Sequence, residues 1–474
     1  MLKPRRKKRL VLDVGTSSIR IAELTPTKEG YQLSKFFQKE TVFDPAVGEE
    51  ERLQAQLEAL NELIKESKSR RRKAVIAVPG QSVFTRNRPL PPVPEHKVNQ
   101  IVRYEIQQQI PFSLDQIALD YEILDRNEAG GYEVMMTAIK VDVVEKQLEL
   151  LKRAKCGIDI VDVSPVAAYN WIEHTGEFGD DEQCVALVDL GATTTDIIVR
   201  KDGQFKFTRS LHTGGNDITQ AVAREFNMSF VDAERLKRER GFAPTGDPKR
   251  DGKGGEVIGR VLNRLVGEIN RSLAYFRSQP GGGAVQRVIL VGGGACLRNV
   301  VPYLQRMLNI EVRIAQPLAG LAVSPAAQAA SEHPERCCVA LGLALRTVDE
   351  PKVSINLIPP RVRTVARQKE QLVYWVLTMV ALVLILGARI PLVAKQSAQT
   401  EKRIEQLKQI LAQYDPALVA NPASPSEFED QLTFVINDVG KHVNDVDYLD
   451  DLRAGRGSWI QQLTAVAQAR PAGG

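Results

Sequence analysis

Cysteine and histidine are scarce in this chain, and those present are scattered. Cys156, Cys184, Cys296, Cys337 and Cys338 form no CxxC pair and no regular interval. This excludes a disulfide-stapled fold, and the five read as reduced, mostly buried thiols of a reducing compartment. His96, His174, His212, His333 and His442 make no HExxH or other paired spacing, so no protein-built transition-metal site is expected. Net charge is also small, +5 over 474 residues of which 26% are charged, which excludes nucleic-acid binding by bulk charge. No signal peptide opens the chain, because the apolar stretch after Lys3, Arg5, Arg6, Lys7, Lys8 and Arg9 is interrupted by Asp13 before it reaches the length of an h-region. That basic run is either a solvated tail or a contact with anionic lipid, where each cation contributes roughly 1 kcal/mol. Further basic runs lie within 68–73 and 361–369. The length suits two or three domains.

What is present begins with a turn, Asp13-Val14-Gly15-Thr16-Ser17-Ser18, between the apolar run 10–12 and the alternating run 19–24. The pattern predicts a β-hairpin. Such a turn has two readings: an ordinary hairpin turn, since Asp, Gly and Thr favour turns, or a clasp for a metal-bound phosphate. In the second, Gly15 lets backbone approach, amides and hydroxyls donate, and Asp13 reaches Mg²⁺ through water. The pattern recurs within 185–199, where Asp189-Leu190-Gly191-Ala192-Thr193-Thr194-Thr195-Asp196 again joins two apolar strands. Two copies imply a duplicated clasp. A buried-type strand at 288–291 then runs into Gly292-Gly293-Gly294 and a helix expected near Ala295; glycines there let backbone lie flat against a ring or phosphate.

These three stretches, in this order, resemble the phosphate-one, phosphate-two and adenosine motifs of the actin-like ATPase superfamily. The fold this implies is α/β: duplicated RNase H-like domains carrying a small α+β insertion. The local patterns agree. A helix is expected over 49–67, a strand over 74–78 ended by Pro79-Gly80, and an inserted unit over 81–160. That unit holds strands at 82–88, 117–124 and 132–140 and helices at 95–109 and 143–155. In the second half, residues 213–219 turn into a helix, 241–255 reads as a mobile loop, 257–279 as one long amphipathic helix, and 309–315 as a last strand. Within the superfamily, Val78-Pro79-Gly80, Val83-Phe84-Thr85-Arg86, Tyr104-Glu105, Ile110-Pro111-Phe112 and the closing helix Ala340-Leu341-Gly342-Leu343-Ala344-Leu345-Arg346 look like the PilM family of type IV pilus assembly. The resemblance spans roughly residues 8–347.

It implies ATP and Mg as ligands. Asp13 and Asp189 would hold the metal through water, and Gly15, Thr16, Ser17, Ser18, Gly191, Ala192, Thr193, Thr194 and Thr195 would hold the phosphates. Gly215, Glu234, Lys237, Gly293 and Gly294 would surround the nucleoside. Glu234 and Lys237 read equally as a surface i, i+3 ion pair. Many relatives carry an acidic residue before the second phosphate turn, where this chain has Ser164-Pro165. The implied enzyme therefore binds ATP with slow or absent hydrolysis, and its catalytic group is unknown.

From 372 to 388 no residue is charged. At 1.5 Å per residue this helix is about 26 Å long, and Arg389 with 390–394 extends it toward the roughly 30 Å of a hydrocarbon core. Arg361, Arg363, Arg367 and Lys369 outnumber Arg389 and Lys395, which expects an inner-membrane single-pass chain, N-terminal part cytoplasmic and C-terminal part periplasmic. Ile404, Leu407, Leu411 and Tyr414 step like a short helical stalk. The expected domains are thus 1–9 basic tail, 10–350 actin-like, 351–371 peptide and linker, 372–388 span, 389–415 stalk, and 416–474 a polar tail. Within the linker, Ile355, Asn356, Leu357 and Pro359 resemble the INLxP peptide of PilN, the bitopic partner whose peptide enters a groove of PilM. The chain therefore resembles a PilM–PilN fusion, and the peptide is expected to dock on its own domain. The function implied is an inner-membrane platform scaffold of type IV pilus assembly. Implied partners are PilN- and PilO-like proteins, pilus motor ATPases, the membrane and further copies. Two other readings stay open: a GspL-like component of type II secretion, which usually lacks the nucleotide motifs, and an actin-superfamily phosphotransferase.

Overall fold

Alternation sets the first hairpin. In β1 (Leu10–Val14) and β2 (Ser18–Thr27), antiparallel register places Leu12 opposite Ile21 and Val14 opposite Ile19. Leu12, Ile19 and Ile21 are all buried. β3 (Gly30–Glu40) continues the meander. A parallel neighbour needs a crossover, and α1 (Glu49–Glu66) supplies it, with Glu49, Glu50 and Glu51 at its positive end and Leu60, Leu63 and Ile64 buried. The chain then enters β4 (Lys73–Val78), parallel to β1 with Val75 opposite Val11.

Before the first sheet is complete, a separate three-stranded sheet intervenes. Its strands are β5 (Val83–Leu90), β6 (Ile117–Arg126) and β7 (Tyr132–Lys140), in the order β5-β7-β6. It is covered by α2 (Glu95–Gln109), whose Val98, Val102 and Ile106 share a core with Val134 and Met136. The chain returns through α3 (Val141–Arg153) to β8 (Gly157–Val163), which pairs in parallel with β4. Residues 157–160, expected inside the inserted unit, thus lie in the main sheet. With β14 (Ala322–Val323) its order is β14-β3-β2-β1-β4-β8.

The second half repeats the plan. Strands β9 (Val185–Leu190), β10 (Thr195–Lys201), β11 (Gln204–Leu211), β12 (Arg287–Val291) and β13 (Glu311–Ile314) stand in the order β11-β10-β9-β12-β13. Two antiparallel pairings are again followed by two parallel ones. Between the copies lie α4 (Ser164–His174) and α9 (Cys338–Val348), apolar on nearly every side and correspondingly buried. Gly342 lets them meet at backbone distance: a Cβ there would lie 1.8 Å from the carbonyl oxygen of Ala167.

The remaining helices of this half are α5 (Gly215–Phe226), α6 (Phe230–Arg240), α7 (Pro248–Ser278) and α8 (Val300–Leu308). α7 starts at Pro248, inside the expected loop. The Asp251 carboxylate accepts from the Thr245 amide at 2.7 Å, its hydroxyl at 2.8 Å and the Gly246 amide at 3.0 Å, while Gly252 at φ 52° joins two helical pieces. Short-range bonds from a side chain order a segment whose composition reads as loop.

The computed structural model describes residues 9–414, except 45, 70–72 and 127–129, together with 430, 433 and 434. The chain divides into two units, Met1–Ala366 and Arg367–Gly474. α10 (Pro360–Tyr414) is one helix with Pro391 inside it, where the sequence suggested a span over 372–388 and a separate stalk over 389–415. Among the described residues one helical stretch, Leu377–Gln409, is long and apolar enough to cross a membrane, and its most apolar window is nowhere buried. The expected basic tail (save Arg9) and the expected polar tail (save 430, 433 and 434) lie outside the described residues, as does most of the basic run at 68–73.

Candidate functional site

Each hairpin turn closes in the same way. The Gly15 amide donates to the Ser18 carbonyl at 3.0 Å and the Gly191 amide to the Thr194 carbonyl at 2.9 Å. Both turns open onto one cleft of about 1430 Å³. Asp13, Gly15, Thr16, Ser17 and Ser18 line it from one half, and Asp189, Gly191, Ala192, Thr193, Thr194 and Thr195 from the other. Gly215, Glu234, Lys237, Gly293, Gly294 and Ser164 line the same cleft. The motifs, dispersed along the chain, therefore converge.

Local bonds explain the placement. The first amides of α5 grip the second turn, Gly215 donating to the Gly191 carbonyl at 2.9 Å and Asn216 to that of Ala192 at 2.7 Å. The Thr195 hydroxyl donates to the Thr213 carbonyl at 2.7 Å. After β12 the backbone turns at Gly292 with φ 85°, where a Cβ would sit 2.1 Å from Asp189 Oδ1. No other residue type fits there.

Charge is unbalanced inside. Burial, then the neighbouring carboxylates of Asp196 and Asp13, push Asp189 up to about 7. Burial pushes Asp196 up to about 6 against the hydroxyl of Ser210. Among the described residues, Arg20, 2.8 Å from Asp13, is the one cation in an ion pair with any of these three acids. A hard divalent cation with oxygen ligands answers that excess, and Mg²⁺ is the usual one beside phosphates. The Ser18 hydroxyl is buried without a hydrogen-bond partner, as expected of a donor kept for a ligand. The residues present thus fit a magnesium–phosphate group.

On the far wall, the two readings of Glu234 and Lys237 coexist. Lys237 Nζ is 2.6 Å from Glu234 and also donates to the Gly215 carbonyl at 3.0 Å and the Thr219 hydroxyl at 2.8 Å. Burial lowers Lys237 against the pull of Glu234. Burial would raise Glu234, but Lys237, Thr219 and Arg238 outweigh it and hold the carboxyl low. Ser164 donates its hydroxyl to the Val78 carbonyl at 3.2 Å, so it offers no free base.

Sequence reading missed Arg20, Asp196, Glu40, Arg238 and Arg336, all of which line the cleft. The first two carried a signal. Hairpin register sets Arg20 opposite Asp13 and Asp196 opposite Asp189, the same position of the two copies filled once by a cation and once by an acid. The other three carried none, because they meet only through the fold: Arg238 reaches Glu40 at 2.6 Å and Arg336 reaches it at 3.5 Å.

The segment before α10 lies elsewhere, on the open edge of β8. The Leu357 amide donates to the Val161 carbonyl at 2.8 Å, and the Val161 amide to Asn356 Oδ1 at 3.1 Å. The Asn356 amide donates to Asp120 at 2.7 Å. Arg346 donates to the Ile355 carbonyl and pairs with buried Asp162 at 2.7 Å. Asn170 exchanges two bonds with the backbone of Val353, at 3.0 and 2.8 Å. Ile355 and Leu357 are fully buried, and Pro359 is buried beside them.

A family model described as type IV pilus assembly protein PilM matches residues 11–348. Cell division protein FtsA of Agrobacterium fabrum is 31% identical over 161 residues, 29% of this chain and 36% of that protein. FtsA of Escherichia coli is 25% identical over 233 residues, 42% and 54% of the two chains. The chain thus spans roughly a third to a half of the length of these relatives. Among solved structures, one described as a PilM-PilN type IV pilus biogenesis complex aligns at 27% identity and a TM-score of 0.63, covering 73% of this chain and 100% of that one.

Proposed function

The chain belongs to the type IV pilus assembly protein PilM family and has the actin-like ATPase fold, and from that premise we propose that it is a nucleotide-binding scaffold of a pilus assembly platform, tethered to the inner membrane by α10. The observation that carries the nucleotide reading is the convergence of both hairpin turns and the glycine turn on one acidic cleft. Asp13 and Asp189 would hold the water shell of Mg²⁺. The turns at Gly15 and Gly191, with the hydroxyls of Thr16, Ser17, Ser18, Thr193, Thr194 and Thr195, would hold ATP phosphates. Gly215, Glu234, Lys237, Gly293 and Gly294 would border the nucleoside. When bound, the metal supplies neutralisation of phosphate charge. Hydrolysis is slow or absent, because Ser164 is spent on the Val78 carbonyl and is too weak a base to activate water.

A PilN-like partner is supported by the structural likeness to a PilM–PilN complex. In this chain the PilN-like peptide is its own Ile355-Asn356-Leu357-Ile358-Pro359, added to the edge of β8 in the manner of strand addition. The groove is therefore filled in cis, and the peptide leads straight into α10. Exposure of the apolar stretch within Leu377–Gln409 supports a lipid-facing span. The cation bias before it supports a cytoplasmic position for the large unit. Changes in the angle between the two halves would pass along β8 and the peptide to the membrane.

The test is thermal stability of the purified full chain in detergent. MgATP at about a hundredfold over its dissociation constant should stabilise by about 2.7 kcal/mol. Asp13→Ala should abolish the shift, and no shift with any magnesium nucleotide rejects the reading.

A further inference from the structure

At the rim of the cleft, Cys296, His333 and Glu335 point one ligand atom each at a common spot, all within 4.8 Å of one another. From these atoms we propose that the chain carries a zinc site, independent of the nucleotide reading, with water as fourth ligand. The distances test the idea. Around a tetrahedral Zn²⁺ with S, N and O bonds of about 2.3, 2.0–2.1 and 2.0–2.2 Å, the ligand atoms stand about 3.4–3.6 Å apart. Here Sγ to Nδ1 is 3.7 Å and Nδ1 to Glu335 Oε1 is 3.2 Å. Only Sγ to Oε1, at 2.7 Å, is short, because the thiol donates its proton along that edge. A zinc ion takes the place of that proton, which leaves to solvent, and the edge opens by less than about 1 Å.

The carriers are fixed before any metal arrives. Cys296 ends the short helical turn Gly293–Cys296, and Glu335 lies in the turn Pro334–Arg336. The Gly292 amide donates to the Glu335 carbonyl at 2.8 Å, and the Arg336 amide to that of His333 at 3.1 Å. Cys337, next in sequence, turns its sulfur into the core toward Ala330. His333 is 53% exposed at its side chain and Glu335 12%, which leaves an open side for water. A sulfur, nitrogen and oxygen set favours Zn²⁺ over Mg²⁺ or Ca²⁺. Linear spacing hid the site, since two turns distant in sequence supply it.

The experiment titrates full-length protein in detergent with Zn²⁺ against a chromophoric chelator, and with Co²⁺ as a spectroscopic stand-in. One Zn²⁺ per chain is expected, with a thiolate-to-cobalt charge-transfer band and tetrahedral ligand-field absorption. Cys296→Ser and, separately, His333→Ala should weaken binding at least by the 10–100-fold that loss of a supporting partner costs a metal site. Cys337→Ser should leave it unchanged. Because His333 is exposed, its variant keeps the fold and keeps the test decisive. Equal zinc affinity in the Cys296→Ser chain, or Co²⁺ bound without a charge-transfer band, overturns the proposal.

Discussion

Asp189 carries opposed demands. Its side chain is half-buried beside Asp196 and Asp13, and desolvation with those carboxylates pushes it from 3.8 up to about 7. The folded chain therefore holds that proton more tightly than the unfolded chain does. Stability from this group is full below about pH 4 and falls as pH rises toward 7. At pH 8 the ionised carboxylate is a cost that only a cation removes. Asp189→Asn should then stabilise the ligand-free protein at pH 8 by on the order of 1–2 kcal/mol and flatten its melting temperature between pH 5 and 8. The same variant should lose the shift caused by MgATP. Thermal melts with and without ligand check both signs, and destabilisation of the ligand-free protein would show that Asp189 is a structural residue. Ser164 makes the contrasting case. Since its hydroxyl serves the Val78 carbonyl, Ser164→Ala should leave MgATP affinity and the low turnover within about twofold, whereas a tenfold fall in turnover would make it catalytic.

Among elements, the peptide strand on β8 has the sharpest energetics. Leu357 is fully buried, so Leu357→Asp forfeits about 1.5–3 kcal/mol of burial and adds an unpaired charge. Asn356→Ala leaves the Val161 amide without its acceptor, at about 1–3 kcal/mol. Hydrogen exchange on the full chain should show the Val161 and Leu357 amides protected in wild type and losing about tenfold or more in either variant. Unchanged protection would mean that the strand is not held by these contacts. This element was legible through its resemblance to the INLxP peptide, because by composition alone an extended run stopped by proline reads equally as a plain connector. α2 was legible to the residue, its periodicity bounded by Pro94 and the Ile110-Pro111 step. β14, two residues long, has no pattern to read. The early start of α7 rests on Asp251 and Gly252, where local bonds override composition. Membership of β8 in the main sheet is a tertiary choice of partner, and an apolar run does not name its neighbour.

For the whole molecule, the decisive feature is that neither half contains a complete site. The first turn lies in one sheet and the second turn in the other, so binding depends on how the two halves close. Across the mouth, Glu40 at the end of β3 holds Arg238 of α6 at 2.6 Å and Arg336 at 3.5 Å. These side chains are partly exposed, 43% for Glu40 and 35% for Arg238, so the clasp is worth at most about 1 kcal/mol and should be screened by salt. Because it joins the halves without belonging to either phosphate turn, its contribution to affinity should be electrostatic and separable. Glu40→Arg replaces the shared anion with a third cation. It should weaken MgATP binding about fivefold at about 0.1 M salt, where charges act over roughly 10 Å, and converge on wild type near 1 M, where they act over about 3 Å. Calorimetric titration of the full chain at the two salt concentrations reads this directly. A penalty of equal size at both would mean that Glu40 touches the ligand itself, and closure would then have to be carried by other contacts.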